Sequence, residues 1–221
     1  MEILVLGTAD DAADAAAAWV ARQVRNAVRR RGLASLAVSG GSTPALMFAA
    51  LAELDVPWEA VSVWQVDERV APNGDPARNA ALLDALPLPA RRVHLMPVTV
   101  KHLAAGAMRY AASLPECFDV VHLGLGDDGH TASWPPGDPV VDQRPAVALS
   151  GEYNGFVRMT LTPRTVNAAR HRLVLATGQA KAEPVRQWLL GDSSLPIQRV
   201  RRSDTVVVLD QAAAALLPAT G

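Results

Sequence analysis

Residues 118–131 read Phe-Asp-Val-Val-His-Leu-Gly-Leu-Gly-Asp-Asp-Gly-His-Thr. Six residues with the composition of a buried strand run into a glycine-rich turn carrying two aspartates and a histidine. An apolar run of this length without alternation has the character of a strand covered on both faces, which is the habit of parallel sheets. The same pattern recurs on either side of it. Leu36-Ala37-Val38 runs into Ser39-Gly40-Gly41-Ser42-Thr43-Pro44, with Pro44 placed to open a helix through Leu51. Val61 to Val66 runs into Asp67-Glu68-Arg69, and Leu173 to Ala176 runs into Thr177-Gly178-Gln179-Ala180-Lys181.

Helical periodicity fills the gaps. Ala13, Ala16, Val20, Val24 and Val28 form one stripe, with Arg22, Arg25 and Arg29 off it. Further helices are predicted over 100–113, Ala180–Leu190 and Ala212–Leu217. A weaker strand is predicted at Arg92–Leu95, an added strand at Arg158–Leu161 and a last strand at Val206–Leu209, and Met1–Gly7 reads as the first strand. Strands alternating with helices give an α/β three-layer sandwich with a mainly parallel, doubly wound sheet. No repeat or long linker interrupts the chain, so a single domain is expected over residues 1–221.

Composition excludes several classes. The chain has 221 residues and a formal net charge of −1, which argues against general nucleic-acid binding. A chain of this length buries roughly 70% of its unfolded surface and needs no disulfide or metal to hold a core. The lone Cys117 cannot form an intramolecular disulfide and reads as a small buried hydrophobe. No apolar run approaches the ~18 residues of a membrane span, and Met1–Gly7 lacks the basic start of a signal peptide. A cytoplasmic protein without membrane association is expected.

In an open α/β sheet, ligands bind beyond the carboxyl ends of the strands. Four chemically loaded loops fall at such ends. In the first, Gly40 and Gly41 allow close backbone approach, and Ser42, Thr43 and free N–H groups at a helix start suit an anion. A tight turn with a Ser or Thr N-cap is the plainer reading. In the third, His130 lies two residues after Asp128; an imidazole can take a proton from water, and a carboxylate can fix its tautomer. A surface turn with Asx bonds is the plainer reading there. His94, His102, His122 and His171 lack such a setting and are expected to be structural. A metal site from Asp127, Asp128 and His130 lacks a supporting His or Cys cluster, so no metal is expected. In the fourth, Lys181 sits at a helix start, against the helix dipole, as it would if an anion were bound there. Only Lys101 and Lys181 are lysines among 21 basic residues. Arg69 and Arg158 are further anion candidates.

These motifs together resemble the 6-phosphogluconolactonase branch of the glucosamine-6-phosphate isomerase/6-phosphogluconolactonase family. The resemblance runs from about Val38 to Leu209 and is most specific over Gly124–Ser133. It implies hydrolysis of 6-phospho-D-glucono-1,5-lactone to 6-phosphogluconate in the oxidative pentose phosphate pathway, without metal or organic cofactor. His130 would be the general base and Asp128 its orienting carboxylate. Gly40, Gly41, Ser42, Thr43, Asp67, Arg69, Arg158 and Lys181 would bind substrate, with Ser42, Thr43, Arg158 and Lys181 at the phosphate. A small sugar-phosphate lactone is the expected partner, with the chain a monomer or, alternatively, a dimer.

Two departures stand out. Trp134-Pro135-Pro136-Gly137 replaces the Leu-Phe-Pro-Gly common after Thr-Ala-Ser and is expected to stiffen the wall beside the site. Arg78 stands where serine is common. Glucosamine-6-phosphate deaminase-like enzymes share the Asp-Gly-His element but carry a glutamate five residues after the histidine; here that position is Pro135. A non-catalytic sugar-phosphate sensor would need neither His130 nor its aspartate, and no helix-turn-helix precedes the first strand.

Overall fold

The computed structural model describes residues 1–218. Seven parallel strands form the central sheet: β1 (Glu2–Leu6), β2 (Ala34–Val38), β3 (Val61–Gln65), β5 (Val93–His94), β6 (Val120–Gly124), β9 (His171–Ala176) and β10 (Thr205–Asp210). Their spatial order is β1-β10-β9-β6-β2-β3-β5. The chain grows outward from the middle in two directions, β2 to β3 to β5 on one side and β6 to β9 to β10 on the other. The topological switch point therefore lies between β2 and β6.

Side-chain alternation along each strand divides the core in two. On one face Val120, Leu173, Leu175, Val206 and Val208 meet helices α1 (Ala9–Arg31) and α2 (Ser42–Ala52). On the other, Val121, Leu123, Val174, Val207 and Leu209 meet α3 (Leu103–Ser113), α4 (Pro163–Ala168) and α5 (Ala182–Leu190). This is the predicted three-layer sandwich. A second, antiparallel sheet packs on that same face, ordered β4 (Asp67–Arg69), β8 (Phe156–Leu161), β7 (Val147–Tyr153).

Helix α1 shows how local sequence sets these elements. Thr8 caps it through a reciprocal box with Asp11: its hydroxyl accepts from the Asp11 amide at 3.1 Å, and its own amide donates to the Asp11 carboxylate at 3.0 Å. Gly32, at φ 78°, ends it in the left-handed conformation that glycine tolerates. Of the expected stripe, Ala13, Ala16, Val20 and Val24 are buried.

Several elements differ from expectation. Asp67-Glu68-Arg69 is not a strand-end loop but a strand, because its backbone pairs with β8 instead of leaving the sheet edge. Arg158–Leu161 belongs to that same second sheet. The stretch 211–217 forms turns in place of the expected helix. A six-residue alanine-rich run is short for helix nucleation, and the Asp210 carboxylate captures the Ala213 amide at 2.7 Å. Trp134 is fully buried in the core, its indole N–H donating to the Leu161 carbonyl at 2.8 Å; it braces the loop from behind and does not form a cavity wall. Cys117 is half-buried and donates to the Ala168 carbonyl. No helix among the described residues is long and apolar enough to cross a membrane.

His122 lies on β6 facing α2, fully buried, with neither ring nitrogen hydrogen-bonded and the ring edge-on to Phe48. Burial pushes its imidazole down to about 3, from an ordinary value of 6.5. The folded protein holds this ring neutral, whereas the unfolded chain protonates it below its ordinary value. The corresponding stability is complete above about pH 6.5 and is lost as pH falls from there toward 3. At pH 5 the loss is about 2 kcal/mol. Urea unfolding at pH 7.5 and pH 5 is expected to show that His122→Leu loses less stability on acidification than the unsubstituted protein, by about that amount.

Candidate active site

The site begins where β2 and β6 part. They pair from Leu36↔Val120 to Val38↔His122, and the Ser39 amide makes one further bond to the His122 carbonyl at 3.2 Å. Beyond that, one chain turns into α2 and the other into the 124–131 loop. The crevice between them is a cavity of about 190 Å³. Its lining includes Gly40, Gly41, Ser42, Thr43, Asp67, Arg69, His130, Arg158 and Lys181, which are the sequence-predicted residues apart from Asp128. Asp128 stands directly behind His130.

The first loop presents a bare helix start. Gly41, at φ 124°, occupies the N-cap of α2, and no side chain caps the helix. Ser42 and Thr43 are therefore helical residues and not caps, so their first-turn N–H groups stay open to a ligand. The Thr43 hydroxyl lies 3.0 Å from that of Thr177, tying the first loop to the fourth. The Gly178 amide is held by both oxygens of Asp210 at 3.0 Å. Lys181 lies at the end of a single 3₁₀ turn and caps α5 from just outside the helix, with its cationic side chain still at the positive end of the dipole.

The second sheet brings more charge. Arg69 and Arg158 are direct cross-strand partners. Like charges placed opposite one another destabilise a sheet, so this pair stores repulsion that an anion relieves. Burial, followed by the neighbouring Arg69, lowers the Arg158 guanidinium, and its buried Nε has no hydrogen-bond partner. The buried hydroxyl of Ser39, also on the cavity, is likewise unpartnered. Asp67 is buried beside them and accepts from the Ser133 hydroxyl at 2.7 Å. Burial raises its carboxyl above the ordinary value; the Ser133 bond and the two arginines offset only part of this.

The aspartate–histidine pair is built by the 124–131 turn. Asp128 Oδ1 lies 2.6 Å from His130 Nδ1 and also accepts the His130 amide at 3.1 Å. The His130 carbonyl accepts the Gly126 amide at 2.7 Å, which closes the turn. Partial burial pushes the Asp128 carboxyl up, but hydrogen bonds from Tyr153 and His130 outweigh it and hold the group below its usual value. An ionised carboxylate only accepts, so Nδ1 carries the proton and Nε2 keeps its lone pair. Nε2 has no protein partner among the described residues. This arrangement can take a proton from a bound water.

Three contributors escaped the sequence reading. Glu68 is fully buried and gathers the site's frame. It accepts from Gln65 Nε2 (2.8 Å) and from the amides of Arg69 (2.9 Å), Asn79 (2.8 Å) and Ala80 (3.0 Å). It also pairs with Arg78 Nε at 3.0 Å. The unusual arginine at 78 thus works behind the cavity and not in it. Asn79 accepts from Arg69 Nη1 at 2.7 Å and donates to the Asp67 carbonyl at 3.0 Å, so it aims the arginine. Tyr153 donates to Asp128 Oδ2 at 2.6 Å. The Asp67–Arg69 and Asp75–Asn79 segments carried the first two without a role for either, and nothing near Tyr153 in sequence announced the third. Among the described residues, no group of three or more His, Cys, Asp or Glu is placed to hold a metal ion.

Comparison with known proteins bears on the fold and the family. Residues 7–209 match the family described as glucosamine-6-phosphate isomerases/6-phosphogluconolactonase. A 6-phosphogluconolactonase of Streptomyces coelicolor is 36% identical, covering 93% of this chain and 90% of its own length. The crystal structure of a 6-phosphogluconolactonase from Shewanella baltica superimposes with a TM-score of 0.86 at 28% identity, covering 95% of this chain and 97% of that one. A monomeric glucosamine-6-phosphate deaminase shares the fold, with a TM-score of 0.85 at 22% identity over 98% of this chain and all of that one.

Gly126 is the tightest steric point of the turn. A β-carbon there would overlap the His130 ring and crowd the Asp128 carboxylate. Gly126→Ala is expected to displace the pair and lower turnover at least tenfold with little change in the melting temperature, measured by steady-state kinetics beside thermal unfolding.

Proposed function

This chain belongs to the glucosamine-6-phosphate isomerase/6-phosphogluconolactonase family, and on that footing we propose that it hydrolyses 6-phospho-D-glucono-1,5-lactone to 6-phospho-D-gluconate, acting as one domain over residues 1–221. The observation that carries the reading is the Asp128–His130 pair, at 2.6 Å, on the same cavity as Arg69, Arg158, Lys181 and the uncapped start of α2. A proton acceptor and an anion site within one crevice suit a neutral ester whose far end carries a phosphate.

In this reading Gly40, Gly41, Ser42, Thr43, Arg158 and Lys181 hold the phosphate, while Asp67 and Arg69 contact the sugar. Fixing the distant phosphate places the lactone carbonyl near His130 and removes much of the entropic cost of the encounter. His130 Nε2 takes a proton from water as its oxygen bonds to the carbonyl carbon, and the carbonyl oxygen becomes the oxyanion of a tetrahedral intermediate. When the intermediate collapses, the bond between that carbon and the ring oxygen breaks. The proton on Nε2 passes to the departing ring oxygen, which becomes a hydroxyl. The new carboxylic acid then ionises, so one proton is released per turnover.

The alternative of aldose–ketose isomerisation with deamination shares the fold and therefore needs a distinguishing feature. Such enzymes carry a glutamate at the position occupied here by Pro135, which has no ionisable group. The curated relative at 36% identity, named as a 6-phosphogluconolactonase, also favours hydrolysis.

The test generates the lactone in situ and follows acid release, with the spontaneous rate subtracted. The unsubstituted protein is expected to exceed that background, and His130→Ala to lose about 10²–10⁴-fold in kcat while still binding 6-phosphogluconate. A wild-type rate equal to background would remove the lactonase reading. For Lys181→Ala the expected change is a KM about 10- to 100-fold higher for the phosphorylated lactone, the worth of one charged hydrogen bond, with the unphosphorylated lactone unaffected. Equal effects on the two lactones would take Lys181 out of the phosphate site.

A further inference from the structure

Asp128 has two carboxylate oxygens, and the histidine uses only one. The other, Oδ2, receives the Tyr153 hydroxyl at 2.6 Å, and that hydroxyl lies 3.3 Å from His130 Nδ1. Tyr153 comes from a different sheet. It ends β7 at the hairpin to β8, whose turn residues Asn154 and Gly155 both have positive φ, 51° and 78°, as the tight hairpin turn requires. The register between β7 and β8 shifts between Ser150 and Tyr153. That irregularity lets the end of the hairpin depart from the regular ladder and reach the 124–131 loop.

We propose that Tyr153 is a positioning residue for the base, anchoring the outer oxygen of Asp128 so that the inner one holds the His130 ring with Nε2 toward the lactone. The proposal rests on the lactonase reading for its kinetic consequence, though not for its geometry. Asp128 is part-exposed, with 31% of its side chain accessible. Held only at Oδ1, by the imidazole and the His130 amide, such a carboxylate leaves its outer oxygen to exchange partners with water. Tyr153 is packed on two sides. Its ring is edge-on to His130, at 5.3 Å between centroids, and Arg158 lies over its face at 5.1 Å. A phenol fixed by two neighbours is a rigid reference for a carboxylate that is otherwise mobile. The same ring touches the arginine proposed at the phosphate, so one side chain registers the base against the anion site.

The charged groups facing Tyr153 are Asp128 and His130 of the loop and Arg158 of β8, with Asp127 acting from farther away. Burial first, then the Asp128 hydrogen bond and charge, pushes the phenol up to about 12, so it remains a donor throughout the working range. Removing the hydroxyl takes away one of the hydrogen bonds that favour ionised Asp128. The Asp128 carboxyl then moves up toward its ordinary value.

Tyr153→Phe keeps the ring and both of its packing contacts, so the fold is retained. Its kcat is expected to fall about tenfold, the worth of about one hydrogen bond, with KM within twofold. In an Asp128→Asn background the same substitution is expected to change kcat less than twofold, since the residue acts through Asp128. Equal costs in the two backgrounds would overturn the proposal. Nitrogen-15 spectra of the His130 ring supply an arm that needs no substrate. The unsubstituted protein should show the Nδ1-protonated tautomer, and Tyr153→Phe a mixture of the two. An unchanged tautomer in the variant would overturn the anchoring role even if hydrolysis is confirmed. A changed tautomer with no lactonase activity would retain it and remove only the substrate assignment.

Discussion

The separation of β2 from β6 is the constraint on which the rest of the structure depends. Two parallel strands paired over three residues, growing into halves that run to opposite sheet edges, must diverge at their carboxyl ends. The gap they leave is lined on one side by a helix start with open N–H groups and on the other by the Asp128–His130 turn. The position of the site thus follows from chain topology before any particular side chain is considered.

What fills the gap is an electrostatic arrangement of the kind an anion would complete. Arg69 and Arg158 face each other across two strands, Arg158 Nε and the Ser39 hydroxyl lack partners, and Lys181 opposes a helix dipole. Each of these costs stability in isolation. They are held in place by a densely bonded frame: Glu68 collects four hydrogen bonds and an arginine, and Asn79 and Asp210 fix neighbouring loops. A net charge of −1 for the whole chain conceals this local positive pocket, which suits a small dianion better than a polymer.

The small antiparallel sheet makes the site more than a loop cluster. It carries Asp67, Arg69, Arg158 and Tyr153, and it receives the 131–134 segment through Ser133 and Trp134. The departure at Trp134 therefore concerns bracing between loop and sheet and leaves the cavity wall to other residues. Arg78 is comparable: an arginine where serine is common, turned inward to Glu68 and to Asn73.

Local sequence determined most of the elements and the chemistry of three strand-end loops. Apolar runs specified buried parallel strands, the α1 stripe specified its packed face, and the Gly-Leu-Gly-Asp-Asp-Gly-His turn specified an aspartate two residues from a histidine, close enough for contact within one turn. Nearly all of the candidate residues line the cavity for that reason. Only the tertiary structure decided that Asp67–Arg69 is a strand, that Arg69 opposes Arg158, that Glu68 is a hub and that Tyr153 reaches Asp128. These depend on pairings between segments from 11 to about 90 residues apart. A short polar strand, a buried glutamate or a tyrosine at a hairpin end has no period or spacing that distinguishes it from a solvated loop. Its role is set by the partner the fold brings to it, and that partner lies outside any local window of the sequence.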